Sequence, residues 1–281
     1  MKDFIIHRIQ GYISRVHLIE YDDCMLLIDS GSRSDVPRIE QYCAKKLMRP
    51  MSDISLCLVT HIHPDHAGGA KLLRKKYGIK LAAHKDIDLW YKGITGSIQH
   101  YFDTVMAHSM RTLKGRQPHR AWYSSKIRPD YSLNDGDPLP GFEDWQAVHV
   151  PGHTLHDLAL FHQGKRILYT ADAIIKEKDK WLPPIPVLFK NQMRRSYLKM
   201  ESLAPARIIT AHGDEIEKED ILHIFQRMTE TLERPLNSMG RAAFSISLFP
   251  PQVWKARIAH MRDRRKKERN IDDGNKSDGK E

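Results

Sequence analysis

The amino-acid sequence predicts a protein of the α/β class, folded as an α/β sandwich. The first reason is that predicted strands and helices alternate between residues 4 and 83. The second is that histidines and aspartates able to bind metal follow predicted strands, where a rigid sheet holds loop residues in place. A chain of 281 residues, 41% of them hydrophobic, can also bury a substantial core.

The first part of the chain alternates between helical periodicity and short apolar runs. Val36, Ile39, Cys43 and Leu47 recur at the spacing of one helix face. The apolar runs are typical of buried strands. The predicted order is β-structure over residues 4–29, a helix over 35–48, a strand over 54–60, a helix after Pro64 and a strand over 80–83.

Residues 85–135 form a predicted helical insert, in which aromatic residues are interleaved with polar and basic ones. We expect this insert to cover the substrate, because segments added over a common scaffold set specificity. The β-pattern resumes at residue 136. The later elements are a strand over 145–150, a hairpin around Gln163–Gly164, helices over 191–203 and 217–234, and a strand over 207–210 between those helices.

The domain organisation follows from these elements. We expect residues 1–240 to form one main domain that includes the insert. A basic helical extension is expected over 241–269, with its helix at about 251–269. Residues 270–281 are polar and lack the apolar content that ordering requires, so they are expected to form a disordered tail.

The chain is basic, with a formal net charge of +10 and a pI near 9.4. The basic residues concentrate at Arg111–Arg128 and Arg262–Arg269. Such patches favour an anionic substrate, a nucleic acid or a membrane surface, although a solvated helix face has the same composition. The charge therefore permits an anionic partner without identifying one.

The N-terminus and the cysteines bear on the compartment. Residues 1–6 lack the pattern of a signal peptide, and the sequence has no apolar run long enough to span a membrane. Three widely spaced cysteines, Cys24, Cys43 and Cys57, do not suggest a disulfide framework. We therefore expect a cytoplasmic protein with thiols buried in its core; the sequence does not indicate its oligomeric state.

Residues Thr60–Gly69 read Thr-His-Ile-His-Pro-Asp-His-Ala-Gly-Gly and are the strongest indication of function. Side chains alternate along a strand, so His61 and His63 point the same way and can bind one ion. Pro64 starts a helix, which places Asp65 and His66 in its first turn beside a second ion position. Imidazole and carboxylate ligands suit zinc, with manganese, iron or cobalt as other occupants. A solvated loop is the alternative, but the strand before the motif disfavours it.

Three more residues able to bind metal stand at predicted strand ends. His153 lies in a tight turn after one strand, Asp172 ends another, and His212 ends a third. Functional groups concentrate on loops that a rigid sheet positions. These residues are therefore candidates for the same site as the first motif, whereas His156 and the remaining histidines are given no metal role.

Over about residues 4–225 the chain resembles the metallo-β-lactamase-fold hydrolases. The resemblance rests on an ordered set of motifs: Asp29-Ser-Gly, Thr60-His-Ile-His-Pro-Asp-His-Ala-Gly-Gly, Pro151-Gly-His-Thr, Asp172 and Ala211-His-Gly. It implies an αββα sandwich with a metal site at one edge, to which the sequence pattern adds the helical insert and the C-terminal helical extension. The implied ligands are His61, His63 and His153 for one ion, Asp65, His66 and His212 for the other, and Asp172 as a bridge. Asp29 would support the ligand loops from behind.

The resemblance implies a hydrolase with two ions, with zinc as the expected metal, although Mn²⁺ and Fe²⁺ suit the same ligands. Two such ions lower the pKa of a bridging water, and the resulting hydroxide attacks an ester, thioester or lactone carbonyl of a small substrate, for which an anionic group is one option. We expect Asp65 also to orient that hydroxide. No substrate contact is assigned from the sequence.

Differences between this chain and members of the family that it resembles limit the classes of substrate to be expected. The acid at 172 resembles glyoxalase II-like thioesterases and lactonases, whereas many true β-lactamases lack it. Lactonases often carry a tyrosine soon after this acid, but here Ala173-Ile-Ile-Lys follows. A phosphodiesterase or nuclease with the same two-zinc site is an alternative. A non-catalytic scaffold stabilised by metal is another, which the intact set of seven candidate ligands disfavours.

Overall fold

The computed structural model describes residues 3–113, 122–216, 218–236, 238–256 and 258. Its strands are β1 (Ile5–Gln10), β2 (Arg15–Glu20), β3 (Met25–Ile28), β4 (Ile54–Val59), β5 (Lys80–His84), β6 (Tyr131–Leu133), β7 (Pro138–Leu139), β8 (Phe142–His149), β9 (Leu158–His162), β10 (Ile167–Tyr169), β11 (Ile175–Glu177), β12 (Lys180–Leu182), β13 (Arg207–Ile209) and β14 (Glu215–Ile216). Its helices are α1 (Val36–Tyr42), α2 (Pro64–Ala67), α3 (Ala70–Tyr77), α4 (Gly93–Leu113), α5 (Lys190–Ser202), α6 (Lys218–Ile221), α7 (Ile224–Leu232) and α8 (Ser238–Ile246).

The described strands form two six-stranded mixed sheets and a separate two-stranded ribbon, β11–β12. The first sheet has the order β1-β2-β3-β4-β5-β6, and its last four strands run parallel. The second has the order β14-β13-β10-β9-β8-β7, with β10 and β13 parallel. Parallel neighbours bring the carboxyl ends of β3 and β4 together at one edge of the first sheet, and those of β10 and β13 at an edge of the second.

The alternation of side chains along each strand produces the layers. In β3, Leu26 and Ile28 belong to the apolar core that both sheets share, while Met25 and Leu27 belong to a second core that includes residues of α1 and α3. A third core lies between the second sheet and helices α5 and α7. The order of layers is helix, sheet, sheet, helix. The predicted αββα sandwich is therefore confirmed.

The helix expected after Pro64 is two helices, because the chain breaks at Gly68 and Gly69. Both glycines lie against the loop that follows β3. A Cβ on Gly68 would lie 2.9 Å from the backbone nitrogen of Arg33, and one on Gly69 would lie 2.7 Å from the carbonyl oxygen of Ser30. Larger residues would push the loop away. The close approach holds α2, which carries Asp65 and His66, against the end of β3.

Three further elements differ from the sequence expectation. Residues Tyr131–Leu133 of the expected helical insert form β6, the edge strand beside β5. The ribbon β11–β12 was not expected, because its sequence is short and rich in charge. Helix α8 was also missed and spans the expected domain boundary at residues 240 and 241. The ring of Phe102 in α4 stacks on that of Phe249, so the segment after α8 packs on the insert.

The remaining expectations concern the cysteines, a membrane-spanning segment, and the basic and C-terminal segments. Cys43 and Cys57 are buried, Cys24 is half-buried, and no disulfide joins these three described cysteines. In the described part of the chain, no helix is long and apolar enough to cross a membrane. Residues 251–256 are helical. The expected tail at 270–281, the basic run Arg262–Arg269 and residues 114–121 of the basic run Arg111–Arg128 lie outside the described residues.

Candidate metal centre

All seven metal-ligand candidates lie together, each in a segment that follows a strand. The loop after β4 and the start of α2 hold four of them, and the turns after β8, β10 and β13 hold one each. The seven residues are His61, His63, Asp65, His66, His153, Asp172 and His212. They form three overlapping groups whose possible ligand atoms all lie within 4.8 Å of one another in each group. The topology thus assembles the site from segments far apart in sequence.

The first group contains only imidazoles, those of His61, His63 and His153. Nε2 of His153 lies 2.9 Å from Nδ1 of His63. Nε2 of His61 is buried without a hydrogen-bond partner. Nδ1 of His153 lies 2.8 Å from the carbonyl oxygen of Pro186, which fixes the proton on Nδ1 and leaves Nε2 as a free electron-pair donor. Three such nitrogens make a cluster suited to one divalent cation.

The second group combines Asp65, His66 and His212. Nε2 of His212 lies 3.1 Å from Oδ2 of Asp65, and Nε2 of His66 lies 3.5 Å from the same oxygen. The carboxylate and the two imidazoles converge on one point. This donor set is also suited to a divalent cation.

Asp172 lies between the two groups, and its two oxygens face different ones. Oδ1 lies 2.9 Å from Nε2 of His66 and 3.3 Å from Nε2 of His212. Oδ2 lies 3.8 Å from Nε2 of His61 and 3.8 Å from Nε2 of His153. This arrangement is the one that a carboxylate bridging two ions requires.

The electrostatics of the cluster are those of a site for cations. Burial alone would raise the pKa values of Asp65 and Asp172, but the neighbouring histidines outweigh it and hold both values well below their ordinary range. Burial likewise opposes protonation of His212, yet Asp172 and Asp65 raise its pKa to about 9. The buried carboxylate of Asp65 and the half-buried one of Asp172 thus require positive charge, which protons on the histidines supply when no ion is bound. Metal binding is expected to release those protons.

The histidines of the first group behave differently from those of the second. Burial is the largest cause of the low pKa values of both rings. It lowers the pKa of His63 to about 3 and holds the pKa of His61 well below its ordinary value. Both are therefore neutral at physiological pH, which is the form that binds metal. The neutral nitrogens of both rings can bind a resident ion, which a cluster with a purely structural role would not need.

Asp29, which the resemblance implies as a supporting residue, lies behind the cluster and contacts the candidate ligand His66. It is fully buried, and its Oδ1 accepts hydrogen bonds from the backbone N–H and the hydroxyl of Thr60, at 2.8 and 2.9 Å. Its Oδ2 lies 2.8 Å from Nδ1 of His66 and accepts from the hydroxyl of Tyr169 at 3.1 Å. The carboxylate therefore orients His66 so that Nε2 faces the cluster.

His156, which received no metal role, belongs to none of the three ligand groups among the described residues. It is buried, and its Nε2 accepts a hydrogen bond from the backbone N–H of Ile62 at 3.2 Å. Ile62 lies between His61 and His63. His156 therefore supports the loop that carries the first ligands.

The sequence did not point to Asp103, a residue of α4 that lies beside the cluster. Its carboxylate is buried and accepts hydrogen bonds from the hydroxyl of Tyr91 and the amide of Gln99, both at 2.7 Å. Burial raises the pKa of Asp103 to about 6, although both hydrogen bonds oppose the rise. Oδ2 lies 3.8 Å from Nε2 of His63. The only signal for this residue is its helical spacing from Gln99, which places both on one face of α4.

A cavity of about 480 Å³ opens above the cluster. Asp65, Asp172 and His212 contribute to its floor. Its walls come from α4, from α8 and from the segment between β11 and α5, and the apolar side chains among them include Met106, Ala107, Ile175, Ile185, Leu188 and Ala243. The cavity leaves room for a substrate directly over the candidate ligands.

Comparison with known proteins identifies the family. The sequence profile of the Metallo-beta-lactamase superfamily matches residues 10–212, a range that contains every candidate ligand. The probable metallo-hydrolase YqjP of Bacillus subtilis (strain 168) is 23% identical over 260 residues, which cover 84% of this chain and 80% of that protein. The Drosophila melanogaster protein named beta-lactamase-like protein 2 homolog is 26% identical over 202 residues, 69% of this chain and 56% of that protein.

A solved structure shows the same fold. The metallo-beta-lactamase family protein TTHA1429 from Thermus thermophilus superposes with a TM-score of 0.60 at 16% identity, covering 80% of this chain and 78% of that one. At this level of identity the likeness concerns the fold. With the family profile covering most of the sandwich, the chain belongs to the metallo-beta-lactamase superfamily.

Proposed function

We propose that the protein is a metal-dependent hydrolase whose centre holds two divalent ions. The observation that carries this proposal is Asp172, whose Oδ1 faces one ligand group while its Oδ2 faces the other. In this proposal His61, His63 and His153 hold the first ion. Asp65, His66 and His212 hold the second, and Asp172 contacts both. Relatives described as probable metallo-hydrolases support the same reaction class.

Zinc is the proposed metal, because four-coordinate sites rich in imidazole suit it, and Mn²⁺ or Fe²⁺ suit the same donors. When bound, two such ions supply a water of lowered pKa and polarise the oxygen of the bond under attack. Asp65 lies at the cavity floor with its Oδ2 beside His212 and His66. From there its carboxylate would orient the attacking water.

The cavity supports a carbonyl substrate with an apolar part. Its floor is polar, whereas Met106, Ala107 and Ala243 contribute apolar side chains to its walls on the α4 and α8 sides, where Gln99 and Asp103 of α4 also line it. Among the described lining residues the lysines are Lys176 and Lys178, on the ribbon β11–β12. An ester, thioester or lactone with an apolar acyl chain would fill this space, while an acidic group would lie near the lysines.

These walls favour a carbonyl substrate over the phosphodiester of the nuclease alternative. A nucleic-acid backbone needs a groove of basic side chains that follows its phosphates. The described cavity lining offers two lysines and also contains Glu177. The scaffold alternative is disfavoured because a cluster that served only stability would not need an open cavity above it.

Hydrolysis of a substrate panel tests the proposal. Zinc-loaded protein is expected to hydrolyse p-nitrophenyl esters and acyl thioesters, and a chelator is expected to abolish the activity. Because the cavity walls are apolar, kcat/KM should rise by about fourfold per methylene until the cavity is full. A lactone and bis-p-nitrophenyl phosphate complete the panel. Absence of turnover on every substrate by metal-loaded protein would overturn the hydrolase proposal.

A variant of the cavity wall tests the substrate class separately. Ala107 is buried and lines the cavity, so Ala107→Leu is expected to shift the preference towards shorter acyl chains. Ala44, on the exposed face of the turn after α1, provides the matched control Ala44→Leu, which should leave the chain-length profile unchanged. A profile that is flat in the parent protein, or a phosphodiester as best substrate, would reject the apolar-acyl assignment while leaving the hydrolase intact.

A further inference from the structure

The carboxylate of Asp103 belongs to the insert helix α4 and is not one of the seven candidate ligands. It is 3% exposed, and its Oδ2 lies 3.8 Å from Nε2 of His63. Within the described part of the chain, Asp103 provides the carboxylate oxygen that lies within ion-pair distance of the His63 ring. A buried acid in this position can affect which ring nitrogen of His63 carries the proton.

The two ring nitrogens of His63 have different surroundings. Nδ1 faces the first ligand group, 2.9 Å from Nε2 of His153, whereas Nε2 faces Asp103. An imidazole that binds metal through one nitrogen carries its proton on the other, and that N–H needs an acceptor. His66 has such an acceptor in Asp29 and His153 has one in the carbonyl oxygen of Pro186. Oδ2 of Asp103 faces Nε2 of His63 at 3.8 Å, a longer separation than the 2.8 Å of those two contacts.

Asp103 is itself fixed in place by the insert. The amide of Gln99 donates to its Oδ1 and the hydroxyl of Tyr91 donates to its Oδ2, both at 2.7 Å. Tyr91 lies in turn 3.0 Å from the hydroxyl of Tyr123, which also lies 3.0 Å from the carbonyl oxygen of Ile62. The network therefore contacts the ligand loop at two points, His63 and Ile62.

The same network reaches the segment after α8. Oε1 of Gln99 accepts a hydrogen bond from the backbone N–H of Phe249 at 3.2 Å, and Phe249 stacks on Phe102 of α4. The helices that wall the cavity are thus joined through Gln99 and Asp103 to a candidate ligand of the first ion. A displacement of α4 would move the acceptor that faces His63.

We propose that Asp103 is a positioning residue for the first metal ion. Its negative charge beside Nε2 of His63 favours the tautomer with the proton on Nε2, which leaves Nδ1 free to bind the ion, and metal affinity then depends on the placement of the insert. This inference rests on the two-metal centre proposed above. It assigns Asp103 no contact with substrate and no ligand bond of its own.

The positioning role of Asp103 is tested by measuring metal binding to the full 281-residue chain. Asp103→Asn replaces the acceptor by a group that can donate an N–H to Nε2 and so favour the wrong tautomer of His63. Zinc affinity, measured by competition with a chromophoric chelator, is expected to fall roughly 10–100-fold for one of the two ions. The visible spectrum of the cobalt-substituted protein should change as well, because it reports the geometry of the ligands rather than the stability of the fold.

Two further variants separate this role from a general effect on the insert. Asp88→Asn perturbs the same insert, where Asp88 accepts hydrogen bonds from the backbone N–H groups of Ile127 and Arg128, but it should leave both measurements at the wild-type values. Tyr91→Phe retains Asp103 and removes one hydrogen bond to it, so zinc affinity is expected to fall by about threefold to tenfold.

The outcomes distinguish the two proposals. Wild-type zinc affinity and an unchanged cobalt spectrum in both Asp103→Asn and Tyr91→Phe would overturn the role of Asp103 while leaving the metal centre in place. If Asp103→Asn does not fold, the Tyr91→Phe and Asp88→Asn pair decides the question. A wild-type protein that binds no zinc would instead overturn the two-metal centre itself.

Discussion

Replacement of Asp172 by alanine is expected to lower kcat/KM by at least ~100-fold and to weaken the binding of both metal ions. The reason is geometric, since Oδ1 of Asp172 faces His66 and His212 while Oδ2 faces His61 and His153. Under the proposed two-metal centre, loss of the carboxylate would remove one donor from each ion and leave four imidazoles near a smaller negative charge. Steady-state kinetics and metal analysis of the purified variant measure the two effects.

The control for this variant is Asp179→Ala. Asp179 is an exposed acid in the turn of the ribbon β11–β12. Its removal changes the charge by the same amount, so it should leave kcat/KM and metal content near the wild-type values. An Asp172→Ala protein that retains two tightly bound ions and wild-type kcat/KM would contradict the bridging role.

Asp29→Ala is expected to lower the free energy of unfolding by roughly 3–5 kcal/mol, because it removes a buried charge and leaves its partners unpaired. The hydroxyl of Tyr169, the hydroxyl and N–H of Thr60 and the ring of His66 all lose their hydrogen-bond partner. Urea unfolding in the presence of a chelator measures this effect without the contribution of metal binding.

Tyr169→Phe provides the comparison, because it removes one of these hydrogen bonds and keeps the aromatic ring. Its expected cost is about 0.5–1.5 kcal/mol. If the free energy of unfolding of Asp29→Ala lies within about 1 kcal/mol of the wild-type value, the carboxylate does not organise the loops after β3 and β4. The contacts imply that Asp29→Ala lowers the free energy of unfolding strongly, whereas Tyr169→Phe lowers it only a little.

Strand β4 and the candidate ligands that follow it could be predicted because each depends on a short-range sequence pattern. The apolar run of β4 is largely buried and ends one residue before Thr60. His61 and His63 then follow at alternating positions, and Pro64 starts α2. Each of these features is encoded within a few neighbouring residues, so the sequence alone was sufficient to locate them.

The contributions of Asp103 and α8 could not be predicted, because they depend on contacts between distant segments. Asp103 has the spacing of an ordinary helical residue, and its importance appears only when α4 lies over the ligand loop. Ala243 of α8 enters the cavity wall through packing of the C-terminal segment on the insert. The ribbon β11–β12 was missed for another reason, since Lys176, Glu177 and Lys180 give it the composition of a loop.

The central claim is that one cluster holds two ions and that Asp172 contacts both. Anomalous diffraction at the zinc edge from crystals of the zinc-loaded protein tests it most directly. We expect two peaks about 3.5–4 Å apart, one beside His61, His63 and His153 and the other beside Asp65, His66 and His212, with Asp172 between them. A single peak, or two peaks with Asp172 bound to neither, would contradict the account.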